Sequence, residues 1–294
     1  MGSHISCLIL ETVKRASQDA GDDAGSRVIS AAVAQVRRDG VAVSLDRISL
    51  EDAIAASGVP RATAYRRWPS KREFLREVLV QVVRQTRLDP ETDEDLAALR
   101  DVVRAHRRDF GTAVGRRTFV VESLRIAADS DYRRLAESRE WRDHLALRAT
   151  CDSLPAGDLR DAITAELAAA ERTFAGRRAT VYARLPAALG YRLVPWLDQP
   201  TGFAVMAAAA GALLTGLVVR PGLAHEGTFR SRAFGSSVTA VWTTESYALV
   251  ALILSYVEPD PNVEWTPARV ESVMDVWDEF EREVRRLRSP SEPE

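Results

Sequence analysis

A cluster of hydrogen-bond donors lies between residues 61 and 71, and its chemistry suits a polyanion. No carboxylate interrupts the cluster, whose members are Arg61, Thr63, Tyr65, Arg66, Arg67 and Lys71. An arginine fork can read the O6 and N7 atoms of guanine with two hydrogen bonds, whereas hydroxyl groups and a lysine ammonium suit single phosphate oxygens. The segment therefore predicts contact with double-stranded DNA, and solvated surface is the alternative interpretation.

Two short helices with clear start and stop residues are predicted around this cluster. Ser49 is a suitable N-cap for a helix over residues 50–57, and Gly58 can end that helix in a left-handed conformation without a Cβ clash. Pro60 fits the first turn of a helix over residues 61–68, because its missing N–H would be unpaired there. The donors therefore fall on the second helix of the pair.

A supporting helix and a long connecting helix are predicted on either side of this pair. Ser26 is a suitable N-cap for the supporting helix, which spans residues 27–38. Ser70 and Glu73 have the spacing of a capping box, and a broad apolar face follows them over residues 71–87. Three helices in this order form the helix-turn-helix unit that presents one helix to the DNA major groove.

The charge distribution separates this region from the rest of the chain. Residues 26–72 carry nine basic and four acidic side chains, a net charge of +5, whereas the whole chain has a net charge of −2. The remainder therefore carries −7. A basic head on an acidic body is expected where one end of a protein meets phosphate. A fluctuation in an arginine-rich chain is the alternative.

The chain resembles the TetR (tetracycline-repressor-like) family of transcription regulators over about residues 28–82. The matching pattern reads Thr63-Ala64-Tyr65-Arg66-Arg67-Trp68-Pro69-Ser70-Lys71-Arg72-Glu73-Phe74-Leu75. The resemblance implies phosphate contacts for Thr63, Tyr65 and Lys71, and it places Arg61, Ala62 and Arg67 nearest the base edges. Lys14 is the only other lysine, so a lysine at the family's lysine position supports the resemblance. Arg66 completes the DNA-binding candidates.

Several positions depart from the family's pattern. Pro60 stands where serine or threonine is common, so the recognition helix is expected to lack a side-chain cap. Ala53-Ile54 inverts the usual order of a large apolar residue followed by alanine. Arg67 replaces a common histidine and adds charge, whereas Trp68 replaces a common phenylalanine. We interpret Trp68 as a core residue rather than as a base-stacking group.

The predicted fold class is all-α, with two domains. A three-helix helix-turn-helix DNA-binding domain over residues 26–72 precedes a larger helical ligand-binding and dimerisation domain over residues 73–288, which is also what the resemblance implies. Apolar residues recur at helical spacing in this body, and no alternating strand pattern stands out. Residues 1–25, which include a possible tag scar, and residues 289–294 are predicted to be disordered.

Two segments, residues 201–219 and 236–257, are unusually apolar. A membrane hairpin is one interpretation. Helices surrounded by their own protein show the same all-round apolarity, so we favour a buried core and no membrane contact. Residues 223–235 between them are expected to form a loop. The last helix, over residues 267–288, has an apolar stripe whose partner is either its own domain or a second subunit.

A small-molecule pocket is expected in the body. The candidates are aromatic or polar residues inside apolar helical stretches, with plain core as the alternative for each: Phe119, Trp141, His144, Tyr182, Phe203 and Met206. Scattered aromatic residues among alanine, leucine and valine suit an apolar or aromatic ligand.

Neither catalysis nor a metal site is indicated by the sequence. It contains no G-x-S-x-G, no H-E-x-x-H, no P-loop and no glycine fingerprint after a strand. Cys7 and Cys151 have neither disulfide-framework nor zinc-site spacing, which suits a cytoplasmic protein. We therefore expect no enzymatic activity, no cofactor and no metal.

These patterns predict a homodimeric transcription regulator, in the preferred version a repressor. It would bind a palindromic operator through residues 61–68 and leave it when a small molecule binds the body. Such release requires a ligand affinity that differs between two states of the protein. The alternative is a membrane-anchored DNA-binding sensor that uses residues 201–219 and 236–257 as a hairpin. A catalytic body is the third hypothesis.

Overall fold

Helices dominate the computed structural model, which describes residues 23–40, 45–86, 92–198, 201–220 and 227–288. The fold is all-α, as predicted. The N-terminal helices are α1 (23–39), α2 (Leu50–Ser57), α3 (Arg61–Arg67) and α4 (Lys71–Gln85). The remaining helices are α5 (Asp93–His106), α6 (Ala113–Glu137), α7 (Arg139–Ser153), α8 (Asp158–Ala188), α9 (Thr201–Val219), α10 (Thr244–Tyr256) and α11 (Pro267–Arg288). Short 3-10 helices lie at Leu45–Arg47 and Arg107–Asp109.

Four short strands interrupt the helices of the body, where no alternating strand pattern stands out in the sequence. They are β1 (Tyr191–Leu193), β2 (Thr228–Ser231), β3 (Ala240–Thr243) and β4 (Val257–Pro259). β1 pairs with β4 and β2 pairs with β3, both antiparallel. Three or four residues are too few for an alternating pattern to stand out, and β1 meets a partner far along the chain.

The predicted loop and the second apolar segment take different forms from those expected. β2 lies inside the predicted loop over residues 223–235, of which 223–226 are outside the described residues. The apolar segment 236–257 divides into β3 and α10. Trp242 of β3 is fully buried opposite Phe229 of β2, and its indole donates to the Ser231 carbonyl oxygen at 3.2 Å. Aromatic and β-branched residues favour strands here through this packing.

The chain divides into two compact units. The first unit comprises residues 1–87 and 139–171, and the second comprises 88–138 and 172–294. α4 and α7 thus pack with the N-terminal helices, whereas the sequence interpretation placed the boundary at residue 73. Disorder was predicted for residues 1–25 and 289–294; residues 1–22 and 289–294 fall outside the described residues, whereas residues 23–25 are helical, so the prediction is wrong for them. The predicted domain boundaries stay a prediction.

The first unit has one continuous apolar core. It joins Val28 and Ala32 of α1 to the buried faces of α2 and α4, and it continues through Leu147 of α7 and Ile163 of α8. The broad apolar face predicted for α4 is confirmed, because Phe74, Leu75, Val78, Leu79, Val82 and Val83 are all buried. The helix pair α2–α3 therefore rests on a support that includes residues from well beyond the N-terminal segment.

α1 begins earlier than predicted. It is already helical at Asp23, so Ser26 lies inside the helix and is not its N-cap. Ala24 is buried in the core of the first unit, and Asp23 pairs with Arg27 one turn later at 3.7 Å. Burial of Ala24 and the Asp23–Arg27 ion pair stabilise helical structure before the serine that the sequence suggested as its start.

α9 is buried on one face only. Phe203, Met206, Ala210 and Leu214 are buried, whereas Val205 is exposed. The expectation of a helix surrounded on all sides by its own protein is therefore wrong for this chain. Among the described residues, α9 is the one helix long and apolar enough to cross a membrane by length and composition, and about a third of it (33%) is buried.

The second unit is built around α6, which packs against α5 and α10, while α10 also packs against α9. An ion pair between Arg100 of α5 and Glu281 connects α11 to the same unit. Val273 and Trp277, from the apolar stripe of α11, are buried within the chain. This part of the stripe is therefore covered within the chain itself.

Candidate nucleic-acid interface

The turn between α2 and α3 has the geometry that its residues predict. The Ser49 hydroxyl accepts a hydrogen bond from the Asp52 amide at 3.2 Å, which caps α2. Gly58 has φ +66° and donates its amide to the Ile54 carbonyl oxygen at 3.1 Å. Leu50, Ala53 and Ile54 bury one face of α2. The inverted Ala53-Ile54 order is thus accommodated in the core.

α3 lies on the surface of the first unit with a single buried residue, Ala64. Arg61, Ala62, Tyr65, Arg66 and Arg67 are exposed, and Thr63 is half-buried. The helix ends at Arg67, one residue before the predicted end, and Trp68 is its C-cap. Pro60 is the N-cap and makes no side-chain capping bond, as expected. Most of the helix surface is therefore available to a partner.

The start of α4 fixes the backbone of Lys71 shortly after the end of α3. The Ser70 hydroxyl accepts from the Glu73 amide at 3.3 Å, so the serine half of the predicted capping box is present. Lys71 is the first residue of α4 and is exposed. The capped start of α4 holds the backbone of Lys71 in place. The positive charge of Lys71 lies at the positive end of the helix dipole, which is electrostatically unfavourable.

Tyr65 is held by a carboxylate from α2. The residue is 43% exposed, and its phenol donates to Glu51 Oε1 at 2.7 Å. This hydrogen bond lowers the pKa of Glu51 and raises the pKa of the Tyr65 phenol. The bond fixes the direction of the ring across the α2–α3 turn, and it places one negative charge beside the donor-rich helix.

Arg67 and Trp68 are tied to α4 through a second carboxylate. Arg67 Nη2 and Trp68 Nε1 donate to the two oxygens of Glu77 at 3.0 and 2.7 Å. Gly25 of α1 faces the Arg67 guanidinium so closely that a Cβ there would lie 2.6 Å from it. The structure therefore directs Arg67 toward α1 and α4, whereas Arg61 and Arg66 form no ion pair with any described residue.

Trp68 is a core residue, as interpreted from the sequence. It is 2% exposed and meets Phe74 edge-to-face, with ring centroids 5.5 Å apart. Its ring is thus unavailable for stacking on a base. It joins the end of α3 to the buried face of α4.

The predicted ligand residues do not form one group. Trp141 and His144 belong to the first unit and are stacked 5.0 Å apart, with His144 Nε2 3.8 Å from Glu171 Oε1. Burial lowers the pKa of His144. The other four residues, Phe119, Tyr182, Phe203 and Met206, belong to the second unit. Phe119 is buried against Phe110, and Phe203 and Met206 lie on the buried face of α9.

Glu51 and Glu77 are the site residues that the sequence interpretation missed. Glu51 lies 14 positions from Tyr65, and Glu77 lies 10 positions from Arg67, so both contacts cross a turn. No local pattern predicts such contacts; a search for acidic residues on the helices flanking α3 could have suggested them. Within the described residues, no group of three or more histidine, cysteine or acidic side chains could hold a metal ion.

Comparison with known proteins adds no relative. No protein-family model matches the chain, and no curated protein matches it. The family resemblance therefore stays a prediction that depends on the residues described above.

Proposed function

We propose that the protein is a DNA-binding transcription regulator of the TetR type, in which α3 enters the major groove and Lys71 contacts the phosphate backbone. In this proposal the protein acts as a homodimer on a near-palindromic site, because a two-fold dimer presents its two recognition helices to half-sites about 34–36 Å apart. A small molecule bound by the second unit shifts the protein between two states, and no catalytic role is assigned.

The exposed face of α3 is the observation that carries the proposal. Arg61, Tyr65 and Arg66 project from a helix that buries only Ala64, and Arg61 and Arg66 have no ion-pair partner among the described residues. An ordinary surface helix balances its arginines with nearby carboxylates. Exposed arginines that have no ion pair among the described residues, beside hydroxyl donors, favour an external polyanion as the partner.

The Tyr65–Glu51 hydrogen bond gives the interface an exchange step. For the phenol to donate to a phosphate oxygen, it must release Glu51, whose negative charge repels the backbone. The pKa of Glu51 is lowered mainly by the hydrogen bond from Tyr65, and the positive charge of Arg61 makes the smallest contribution in the same direction. Arg61 is therefore positioned to offset part of the negative charge of Glu51. Phosphate binding therefore competes with an existing bond and does not act on an unconstrained side chain.

Salt dependence of duplex binding tests the proposal. The full chain should bind double-stranded oligonucleotides at low ionic strength, and the logarithm of its affinity should fall linearly with the logarithm of salt concentration. Lys71→Ala should make that slope shallower by about 0.9, the value for one phosphate contact. The matched control is Arg230→Ala, which removes an exposed cation from the second unit.

Two results would count against the proposal. Wild-type protein that binds duplex no better than an acidic control protein at low ionic strength would end the regulator interpretation. A Lys71→Ala slope equal to that of wild type would remove Lys71 from the interface while leaving α3 to be tested by its own variants.

A membrane attachment is the second candidate, and the exposed apolar face of α9 favours it. Trp196, just before this helix, is 77% exposed, and aromatic residues of this kind are common at membrane interfaces. A hairpin is less well supported, because α10 has 13 residues and rises about 20 Å, short of the ~30 Å hydrocarbon core. Recovery of the full chain in the detergent-free supernatant after cell fractionation would exclude this candidate.

A further inference from the structure

The second unit contains a solvent-open cavity of about 500 Å³ beside the start of α11. Its walls are the 3-10 turn before α6 and the first turns of α11, and its lining residues are Arg107, Arg108, Gly111, Pro267, Val270 and Glu271. This volume lies in the range of small-molecule sites, roughly 300–1,000 Å³. None of the six ligand residues predicted from the sequence lines this cavity.

The two walls of the cavity are fixed to each other. Arg116 of α6 donates to the Phe110 carbonyl oxygen at 2.8 Å, and its guanidinium lies 4.3 Å from the ring centre of Trp265, just before α11. The Arg100–Glu281 ion pair holds α5, which leads into the first wall, to α11 itself. The cavity therefore has a preformed shape, which lowers the ordering cost of binding.

The polar groups on these walls are dominated by two adjacent arginines. Arg107 and Arg108 are exposed, and neither makes an ion pair or a side-chain hydrogen bond with any described residue. Glu271 is the one carboxylate among the lining residues, and it pairs with neither arginine. The positive end of the α11 dipole adds to the field of the arginines. Pro267 and Val270 supply an apolar surface beside them.

We infer that this cavity binds a small organic monoanion with an apolar body. Arg107 and Arg108 receive its carboxylate or similar oxyanion, for which the planar guanidinium is the best side-chain donor. Its apolar part covers Pro267 and Val270, and Glu271 disfavours a second negative charge. The inference supplies the ligand class for the proposed regulator; the binding itself requires no DNA.

A matched pair of probes tests the inference on the full chain by isothermal titration calorimetry. The probes are 2-naphthoate and its uncharged analogue 2-naphthamide, which share one apolar body. We expect 2-naphthoate to bind and 2-naphthamide to bind about tenfold more weakly or not at all, because only the anion makes charge-assisted hydrogen bonds. Acetate, which lacks the apolar body, should also bind more weakly than 2-naphthoate.

Two variants locate the site. The double variant Arg107→Gln with Arg108→Gln should weaken the binding of 2-naphthoate about tenfold or more. The control is the double variant Arg230→Gln with Arg232→Gln, which changes an exposed pair elsewhere in the second unit and should leave the affinity for 2-naphthoate unchanged. Gly111→Leu should also weaken binding by filling the cavity, and it should fold, because nothing lies within 4 Å of a Cβ at Gly111.

The outcomes separate this inference from the DNA proposal. No 2-naphthoate binding by wild type, equal affinity for the two naphthyl probes, or wild-type affinity in the Arg107/Arg108 double variant would each overturn the inference. Loss of 2-naphthoate binding in the variants with unchanged duplex affinity would support the site by itself. Specific 2-naphthoate binding in a protein that ignores duplex DNA would leave the cavity assigned and overturn only the regulator.

Discussion

Both units carry arginines that have no ion pair among the described residues, on a surface helix in the first unit and in a concave corner in the second. In the first unit, Arg61 and Arg66 lie on a seven-residue helix that buries only Ala64. In the second unit, Arg107 and Arg108 lie in a corner that the Arg100–Glu281 ion pair and the Arg116–Trp265 contact hold in place. A projecting helix can reach into the groove of a long polyanion, whereas a fixed concave corner suits a small anion.

In both units an arginine with a hydrogen-bond partner in the fold lies close to arginines that have no such partner among the described residues. Arg67 is bound to Glu77 beside Arg66, and Arg116 is bound to the Phe110 carbonyl oxygen close to Arg108. The arginines with a partner stabilise the surrounding helices. The neighbouring arginines without one are available to bind an external anion. Structural arginines therefore differ from candidate binding arginines in having a partner within their own unit. Their position in the sequence is a weaker guide.

Replacing one tryptophan in each unit should produce the largest contrast. Trp68→Ala should destabilise the first unit by about 3–5 kcal/mol, because it removes a buried ring and the hydrogen bond to Glu77. Trp196→Ala should change stability by less than about 0.5 kcal/mol, because this residue is 77% exposed. Urea unfolding followed by circular dichroism measures both values, and a small effect of Trp68→Ala would show that the end of α3 is not anchored as described.

The arginines of α3 provide the next contrast. Arg61→Ala with Arg66→Ala should weaken duplex binding and make its salt slope shallower by about 0.9, the value for the one phosphate assigned to Arg66, because Arg61 is assigned to a base edge. Arg67→Ala should leave the slope unchanged, because the Arg67 guanidinium is occupied by Glu77. Fluorescence anisotropy with one labelled duplex at several salt concentrations gives the slopes of the wild type and both variants. A shallower slope for Arg67→Ala would show that Arg67 leaves Glu77 for DNA, as the family resemblance implies.

The sequence predicted best those features that depend on neighbouring residues. The Ser49 cap, the Gly58 turn, the missing cap at Pro60 and the apolar face of α4 are all local, because each hydrogen bond or contact spans at most a few residues. The resemblance also pointed to Trp68 as core, since it matches a common phenylalanine. These features could therefore be predicted without knowledge of the tertiary structure.

Features set by distant contacts were not predictable in this way. Glu51 and Glu77 reach α3 across turns, and β1 pairs with β4 at a separation of 66 residues for Arg192 and Glu258. The start of α1 was misplaced because burial of Ala24 extends the helix beyond Ser26. The cavity at Arg107 and Arg108 depends on a helix more than 150 residues further on, so adjacent arginines in the sequence gave no indication of it.

His144 makes the stability of the first unit depend on pH. Burial lowers the pKa of this histidine below its ordinary value of 6.5, with Glu171 opposing and Arg148 adding to the effect. As pH falls below about 6.5, the histidine of the unfolded state binds a proton more readily than the buried histidine of the folded state, so the free energy of unfolding falls. His144→Phe, which keeps a ring beside Trp141, should make the unfolding free energy less dependent on pH between about 7 and 5. An unchanged pH dependence in chemical denaturation would exclude His144 as its source.

Two glycines provide the smallest contrast, and they separate backbone conformation from steric space. Nothing lies within 4 Å of a Cβ at either Gly58 or Gly111, but only Gly58 has a positive φ, +66°. Gly58→Ala should therefore cost about 1–2 kcal/mol through backbone strain alone, whereas Gly111→Ala should be neutral or stabilise by up to about 1 kcal/mol by restricting the unfolded chain. Thermal unfolding of both variants measures the difference. Equal destabilisation by the two variants would show that the backbone at Gly111 requires a glycine as much as the α2–α3 turn does. That result would contradict the fixed shape inferred for the cavity beside Arg108.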